Sequence, residues 1–229
     1  INLSIPHIKS PEYFNILETL DSNWVSPVGP QINKLENDLS NYNRYGYCAA
    51  VSSGTAAIHL ALINLGVGRN DYVLCQSFTF VASANPILYQ QAIPVFIDSE
   101  IDTLSMDPDA LEHCLSHLNS KNIQPKAVIA AHIYGIPGKI YKLKKICKKY
   151  NVQLIEDSAE TLGASINNIK CGTLGDIGVY SFNGNKIITS GGGGAVISKN
   201  QSDIKKIKSL STQSRENYIY YHHKKIGYN

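Results

Sequence analysis

The sequence lacks the features that mark disulfide frameworks, metal sites and membrane spans. Its 229 residues contain five cysteines, an odd number, and no two of them are closely spaced. This distribution argues against a disulfide framework and a CxxC metal site, so we expect no metal ion and a reducing, cytoplasmic location. No apolar run approaches the length of a membrane helix, and the N-terminus has no charged-then-apolar signal pattern.

The sequence also lacks a large excess of positive or negative charge. The formal net charge is only +3, which gives no reason to expect binding to nucleic acid or to a membrane surface. Two glycine motifs that bind phosphates are missing as well. Without GxxxxGK[ST] the chain does not read as a P-loop protein, and without GxGxxG a Rossmann-type oxidoreductase is disfavoured.

The apolar pattern that is present indicates an α/β fold. Hydrophobic residues make up 43% of the chain, enough for a substantial core. Short apolar runs predict strands at 71–75, 92–98, 127–133, 153–157, 177–182 and 194–198. Helical spacing predicts helices at 55–65, 83–91, 107–118 and 139–150, and again from 202 onward.

Apolar strands that alternate with helices are typical of a mainly parallel sheet with helices on both faces. We find no internal repeat and no linker-like stretch, so we predict one domain over residues 1–229. Ligands of such sheets bind at the carboxyl ends of the strands. Polar residues just beyond those ends are therefore the first candidates for chemistry.

A segment of small residues before the first predicted helix is the first candidate site. Gly54, followed by Thr55, lets the backbone approach a ligand closely, and the first N–H groups of the helix favour an anion such as phosphate. An ordinary Ser/Thr helix cap explains the same residues equally well.

Asp157, Lys186 and Phe80 are the other candidates. Asp157 ends a buried strand, where it either caps a helix or faces a cationic ligand atom such as a protonated pyridine nitrogen. Lys186 lies in an otherwise uncharged stretch before four glycines, and a desolvated lysine can attack an aldehyde. The alternative is a surface lysine in a flexible hairpin. Phe80 either packs in the core or stacks on a planar cofactor.

Taken together, these segments resemble the DegT/DnrJ/StrS family of sugar aminotransferases, which use pyridoxal 5′-phosphate. The resemblance covers essentially the whole chain, and the segments that carry it are 53–56, 79–81, 156–160, 181–186, 191–194 and 227–229. Segments 182–189 and 211–217 are most similar to the branch that makes 4-amino sugars of the bacillosamine and legionaminic acid kind on UDP or similar carriers.

The resemblance implies the type I aminotransferase fold and a role for each matching residue. Lys186 would hold the cofactor as a Schiff base and then carry protons, while Asp157 would pair with the pyridine nitrogen. Phe80 would stack on the ring, and Glu160 would lie near the ring hydroxyl or the substrate. Asn229 would reach the phosphate bound by the neighbouring subunit of a homodimer. The phosphate within the same subunit would be held by Gly54, Thr55 and Ser181.

The reaction implied by the resemblance moves an amino group from glutamate to a nucleotide-linked 4-keto-6-deoxy sugar. Some relatives are sugar dehydratases in which histidine replaces the Schiff-base lysine, so Lys186 favours transamination. A non-catalytic protein on the same scaffold is the other alternative. Relatives usually continue beyond the position of Asn229 into a smaller C-terminal domain, so we expect a truncated large domain. Phe80 stands where many relatives carry tryptophan.

Overall fold

The computed structural model describes residues 5–229, and its centre is a seven-stranded sheet. Its strands are β1 (Tyr47–Val51), β2 (Tyr72–Gln76), β3 (Ile93–Ile97), β4 (Ala127–Ala131), β5 (Gln153–Asp157), β8 (Ile177–Ser181) and β9 (Gly194–Ser198). A separate hairpin is formed by β6 (Ser165–Ile166) and β7 (Ile169–Lys170). The helices are α1 (Ser10–Asp21), α2 (Pro30–Asn43), α3 (Gly54–Asn64), α4 (Asn85–Tyr89), α5 (Pro108–Ser120), α6 (Ile140–Lys149) and α7 (Gln201–Leu210).

The strand order is β1-β9-β8-β5-β4-β2-β3, and most of the pairs are parallel. Strands β8, β5, β4, β2 and β3 pair in parallel along the sheet. Strand β9 runs antiparallel to both of its neighbours, β8 and β1. The predicted mainly parallel α/β sheet is therefore confirmed.

Helices cover both faces of the sheet, also as predicted. Along β2, Val73 and Cys75 join a core cluster with residues of α3 and α7, whereas Leu74 between them joins a cluster with residues of α5 and α6. Alternate residues of a strand point to opposite faces, so both faces are buried. This explains why the central strands read as continuous apolar runs in the sequence.

Two helices begin at residues whose side chains cap them. The hydroxyl of Ser53 accepts a hydrogen bond from the Ala56 amide at the start of α3. The carboxylate of Asp107 accepts one from the Asp109 amide at the start of α5, where Pro108 takes the first helical position.

The helix predicted over 83–91 is wrong as one continuous element. A 3-10 turn spans Val81–Ser83, and α4 then begins at Asn85. Pro86 explains the break, because proline lacks an N–H group and fits only the first turn of a helix. The interruption leaves Ser83 in a tight turn below the carboxyl edge of the sheet.

Several short or exposed elements were not predicted from the sequence. Strand β1 is only five residues long, and helix α1 has no buried residue among those described. The hairpin β6–β7 has two residues per strand, too few for a periodic pattern. Within residues 5–229, no helix combines the length and the apolar character needed to cross a membrane.

Gly178 provides a test of the packing between β8 and the segment after the hairpin. A Cβ atom at Gly178 would lie 1.8 Å from the carbonyl oxygen of Gly172. We expect Gly178→Ala to lower the free energy of unfolding by roughly 3 kcal/mol, because the backbone has to shift. Urea unfolding followed by circular dichroism measures this change.

Gly68→Ala is the matched control for that variant. A Cβ atom at Gly68 would meet no atom within 4 Å, and the residue has no positive φ. We expect its free energy of unfolding to stay within about 0.5 kcal/mol of wild type. Equal unfolding midpoints for the two variants would contradict the close packing at Gly178.

Candidate active site

A cavity of about 430 Å³ lies at the carboxyl edge of the parallel strands. We call it the Lys186 cavity. Its wall contains every site residue predicted from the sequence except Asn229. These residues are Gly54, Thr55, Phe80, Asp157, Glu160, Ser181 and Lys186.

The N-terminus of α3 forms one end of the Lys186 cavity. Ser53 satisfies the amide of Ala56, while the amides of Gly54 and Thr55 belong to the first turn, which has no intrahelical acceptors. A Cβ atom at Gly54 would lie 2.9 Å from the Cβ atom of Ser181, so glycine is what lets helix and strand approach here. The result is a cradle of N–H and hydroxyl groups suited to an anion.

Asp157 forms the floor of the cavity and is only 6% exposed. Its Oδ2 atom accepts a hydrogen bond of 2.8 Å from the Ser83 hydroxyl, and its Oδ1 atom accepts one of 3.2 Å from the Ala159 amide. Burial raises the pKa of Asp157, and these two hydrogen bonds oppose that rise. The helix-cap interpretation is wrong, because β5 leads to the β6–β7 hairpin rather than to a helix.

Lys186 and Glu160 form an ion pair on the cavity wall. The Lys186 Nζ atom lies 3.3 Å from Glu160 Oε1, and the Lys186 side chain is 14% exposed. The Tyr134 amide donates to Glu160 Oε2 at 2.7 Å, which fixes the carboxylate. A surface lysine in a flexible hairpin is therefore the wrong description of Lys186.

Phe80 and Asn229 are placed differently from each other. Phe80 is 72% exposed at the cavity, so it is not a core residue and its ring face is available for stacking.

Asn229 lines a different cavity together with Glu36 and His59, and its side chain accepts a hydrogen bond from Gln213. The role of Asn229 in a neighbouring subunit stays a prediction.

His132 and Glu156 were missed by the sequence analysis. His132 follows β4 directly and lines the Lys186 cavity, but the strand predicted over 127–133 enclosed it, so a histidine within an apolar run was the only available signal. The Gly138 amide donates to His132 Nδ1 at 3.0 Å, and His132 Nε2 lies 2.9 Å from Glu156 Oε1. The proton of the imidazole is therefore on Nε2, from which it is donated to the carboxylate.

Glu156 is fully buried behind this histidine. Besides His132, it accepts hydrogen bonds of 2.7 Å from three backbone amides, those of Gly172, Leu174 and Gly175. Burial opposes ionisation, but these donors outweigh it and hold the pKa of Glu156 below its usual value. The carboxylate thereby fastens the segment after the hairpin to the sheet.

Glu156, His132 and Cys171 also place one ligand atom each within 4.8 Å of one another. The cysteine spacing predicts no metal site, whereas a histidine, a carboxylate and a cysteine are ligand types that bind Zn²⁺. The lone pairs of Glu156 are already used by four N–H donors, so hydrogen bonding accounts for this arrangement.

The residues of the Lys186 cavity fit pyridoxal 5′-phosphate. The α3 cradle suits its phosphate, and the buried carboxylate of Asp157 suits a protonated ring nitrogen. An amine is available at Lys186 and an open aromatic face at Phe80. Thr79 lines the cavity, and Ser83 bonds to Asp157. Thr79 belongs to the segment 79–81 that carries the family resemblance, but no role was predicted for either residue.

Comparisons with known proteins agree with this geometry. The chain is 48% identical over 229 residues to EpsN of Bacillus subtilis (strain 168), which is provisionally named a pyridoxal phosphate-dependent aminotransferase; the match covers 100% of this chain and 59% of EpsN. It is 37% identical over 221 residues to GDP-perosamine synthase of Escherichia coli O157:H7, covering 96% of this chain and 58% of the relative.

Solved structures show the same fold. The PLP-form of Spr1654 from Streptococcus pneumoniae, provisionally named a sugar aminotransferase, superposes with a TM-score of 0.88 at 27% identity. The superposition covers 100% of this chain and 62% of Spr1654. The chain thus spans less than two thirds of the length of each of these three proteins.

These findings confirm the predicted α/β aminotransferase fold and pyridoxal phosphate as the cofactor of the family. The family model for DegT/DnrJ/EryC1/StrS aminotransferases matches residues 6–229. The chain belongs to the DegT/DnrJ/EryC1/StrS aminotransferase family.

Proposed function

We propose that this chain is the cofactor-binding domain of an enzyme that moves an amino group from glutamate to a nucleotide-linked 4-keto-6-deoxy sugar. The observation that carries the proposal is the meeting of Lys186 and Asp157 in one cavity, beside the anion cradle of α3. An amine, an acidic partner and a phosphate cradle are the three groups that pyridoxal phosphate needs from a protein.

Each residue then has a distinct task. Bound pyridoxal phosphate supplies an aldehyde that accepts an amine and a ring that withdraws electrons from the substrate carbon. Lys186 would hold the cofactor through its Nζ atom and would also be the group that takes up and returns a proton, with Glu160 Oε1 3.3 Å away to orient it. Asp157 would keep the ring nitrogen protonated, and Phe80 would stack on the ring.

The presence of Lys186 favours transamination over dehydration, because the related dehydratases carry histidine at this position. Intact Lys186 and Asp157 also weigh against a non-catalytic role. One relative is named for a GDP-linked sugar, which supports a nucleotide-linked substrate without fixing the nucleotide. Within this class we propose a UDP-linked sugar of the bacillosamine type, because segments 182–189 and 211–217 are most similar to that branch. The free cysteines support a cytoplasmic location for the protein.

We further propose a homodimer with shared active sites. Asn229 lies outside the Lys186 cavity of its own chain and is exposed. A symmetric dimer could bring it to the phosphate in the partner's cavity.

Replacement of Lys186 tests the covalent link. We expect the wild-type protein to show a visible absorbance band with pyridoxal phosphate and to retain the cofactor covalently after borohydride treatment. Lys186→Ala removes the amine, so the band and the covalent retention should both be lost. Lys149→Ala, at a largely exposed lysine, is the control and should behave as wild type. A wild-type protein that takes up no pyridoxal phosphate would refute the proposal.

The amino acceptor is tested with the cofactor-loaded protein, glutamate and a panel of UDP-, GDP- and dTDP-linked 4-keto-6-deoxy sugars. We expect a 4-amino sugar and an equal amount of 2-oxoglutarate, with the UDP-linked compound preferred. Mass spectrometry identifies the amine. Loss of a hydroxyl group without transfer of nitrogen would indicate a dehydratase instead.

Mixed dimers test whether sites are shared. Lys186→Ala and Asn229→Ala are each expected to be nearly inactive, but their co-expression should restore about a quarter of wild-type activity, because half of random pairs are mixed and each mixed pair has one complete site. Lys186→Ala mixed with Asp157→Ala is the control. These two residues line the same cavity of one chain, so no activity should return. Equal recovery in both mixtures would count against a role of Asn229 across the interface.

A further inference from the structure

Ser83 carries a buried hydroxyl group that does not line the Lys186 cavity itself but bonds to two residues that do. It is 1% exposed, and its Oγ atom lies 2.8 Å from Asp157 Oδ2. On its other side, Ser83 Oγ lies 2.9 Å from the hydroxyl of Thr79, which lines the cavity. Three oxygen-bearing side chains thus form one continuous row from the cavity wall to the carboxylate.

The direction of the hydrogen bonds along this row follows from the charge of Asp157. An ionised carboxylate can only accept hydrogen bonds, so Ser83 has to donate its single proton to Asp157. Thr79 then has to donate to Ser83. Charge-assisted bonds of this kind are stronger than those between neutral groups.

The turn that carries Ser83 also carries Phe80. Phe80 lies at the cavity and Ser83 beneath it, and the Ser83 amide donates to the Phe80 carbonyl at 3.0 Å. The break before Pro86 therefore places a ring-stacking candidate and a donor to Asp157 on a single turn. A continuous helix over 83–91 would have placed Ser83 differently.

We infer that Ser83, with Thr79 behind it, is a positioning residue that holds the Asp157 carboxylate ionised and aimed at the ring nitrogen of the cofactor. This inference rests on the proposed function, since it requires pyridoxal phosphate in the Lys186 cavity. Apart from Ser83, Asp157 accepts a bond of 3.2 Å from the Ala159 amide. Ser83 is the closer of these two donors, and it reaches the other oxygen.

The inference has a defined consequence for the pH dependence. Burial raises the pKa of Asp157 and the Ser83 bond lowers it, so loss of the hydroxyl moves protonation of Asp157 to higher pH. A neutral carboxyl no longer favours a protonated ring nitrogen, and cofactor affinity should fall as the pH falls through this range. The other titratable groups here are Lys186, Glu160 and His132 on the cavity wall, and Glu156 behind His132. They are unchanged in every variant.

The experiment is a titration of the cofactor-free protein with pyridoxal 5′-phosphate, followed by absorbance at several pH values. For Ser83→Ala we expect the dissociation constant at neutral pH to rise roughly tenfold, the scale of one hydrogen bond to a charged group. The pH at which affinity is lost should also move upward. Ser83→Thr keeps a hydroxyl and should restore both values. Thr79→Val should weaken binding less than Ser83→Ala, because it acts through Ser83.

Ser198→Ala is the matched control. Ser198 is fully buried at the far end of β9, and its Oγ atom donates to Asp203 Oδ2 at 2.8 Å, the same distance as in the Ser83 pair. Its removal should cost similar stability in urea unfolding but leave cofactor affinity and its pH profile unchanged.

The outcomes separate this inference from the proposed function. If wild type binds pyridoxal phosphate and Ser83→Ala binds it with the same affinity and pH profile, the inference alone is overturned. If Ser83→Ala does not fold, unchanged binding by Thr79→Val overturns it. If wild type takes up no cofactor, the proposed function is overturned as well.

Discussion

The structure around the Lys186 cavity depends on the ionised side chain of Glu156, buried beneath the carboxyl edge of the sheet. Four N–H groups converge on it, from His132 and from three amides of the segment after the hairpin. A buried carboxylate without these donors would be strongly destabilising. The Glu156 carboxylate therefore links β5, His132 and the segment after the hairpin to one another.

The next residue, Asp157, shows how one strand serves two purposes. Successive side chains of β5 point to opposite faces, so Glu156 organises the protein behind the sheet while Asp157 faces the cavity. Asp157 has fewer donors than Glu156, and its pKa is raised where that of Glu156 is lowered. Glu156 therefore serves the packing of the fold, while Asp157 is the carboxylate that the cavity leaves available to a ligand.

The cavity joins residues that are far apart in sequence. The anion cradle comes from the start of α3, the carboxylate from the end of β5, and the amine from the loop after β8. All three lie at one edge because β1, β5 and β8 run in the same direction through the sheet. This edge is where doubly wound α/β proteins generally bind their ligands, and Gly54 allows the helix and strand to approach closely there.

The sequence by itself determined the α/β class, most strand positions, the caps of α3 and α5, and the principal charged candidates of the cavity. These are local properties, encoded in apolar periodicity and in short motifs such as the one around Lys186. Tertiary structure alone decided that Asp157 faces a cavity instead of capping a helix, that Ser83 bonds to Asp157 and Thr79 to Ser83, and that Asn229 lies outside the Lys186 cavity. These features depend on contacts between residues tens of positions apart, such as the 74 residues that separate Ser83 from Asp157. No local pattern records such a contact.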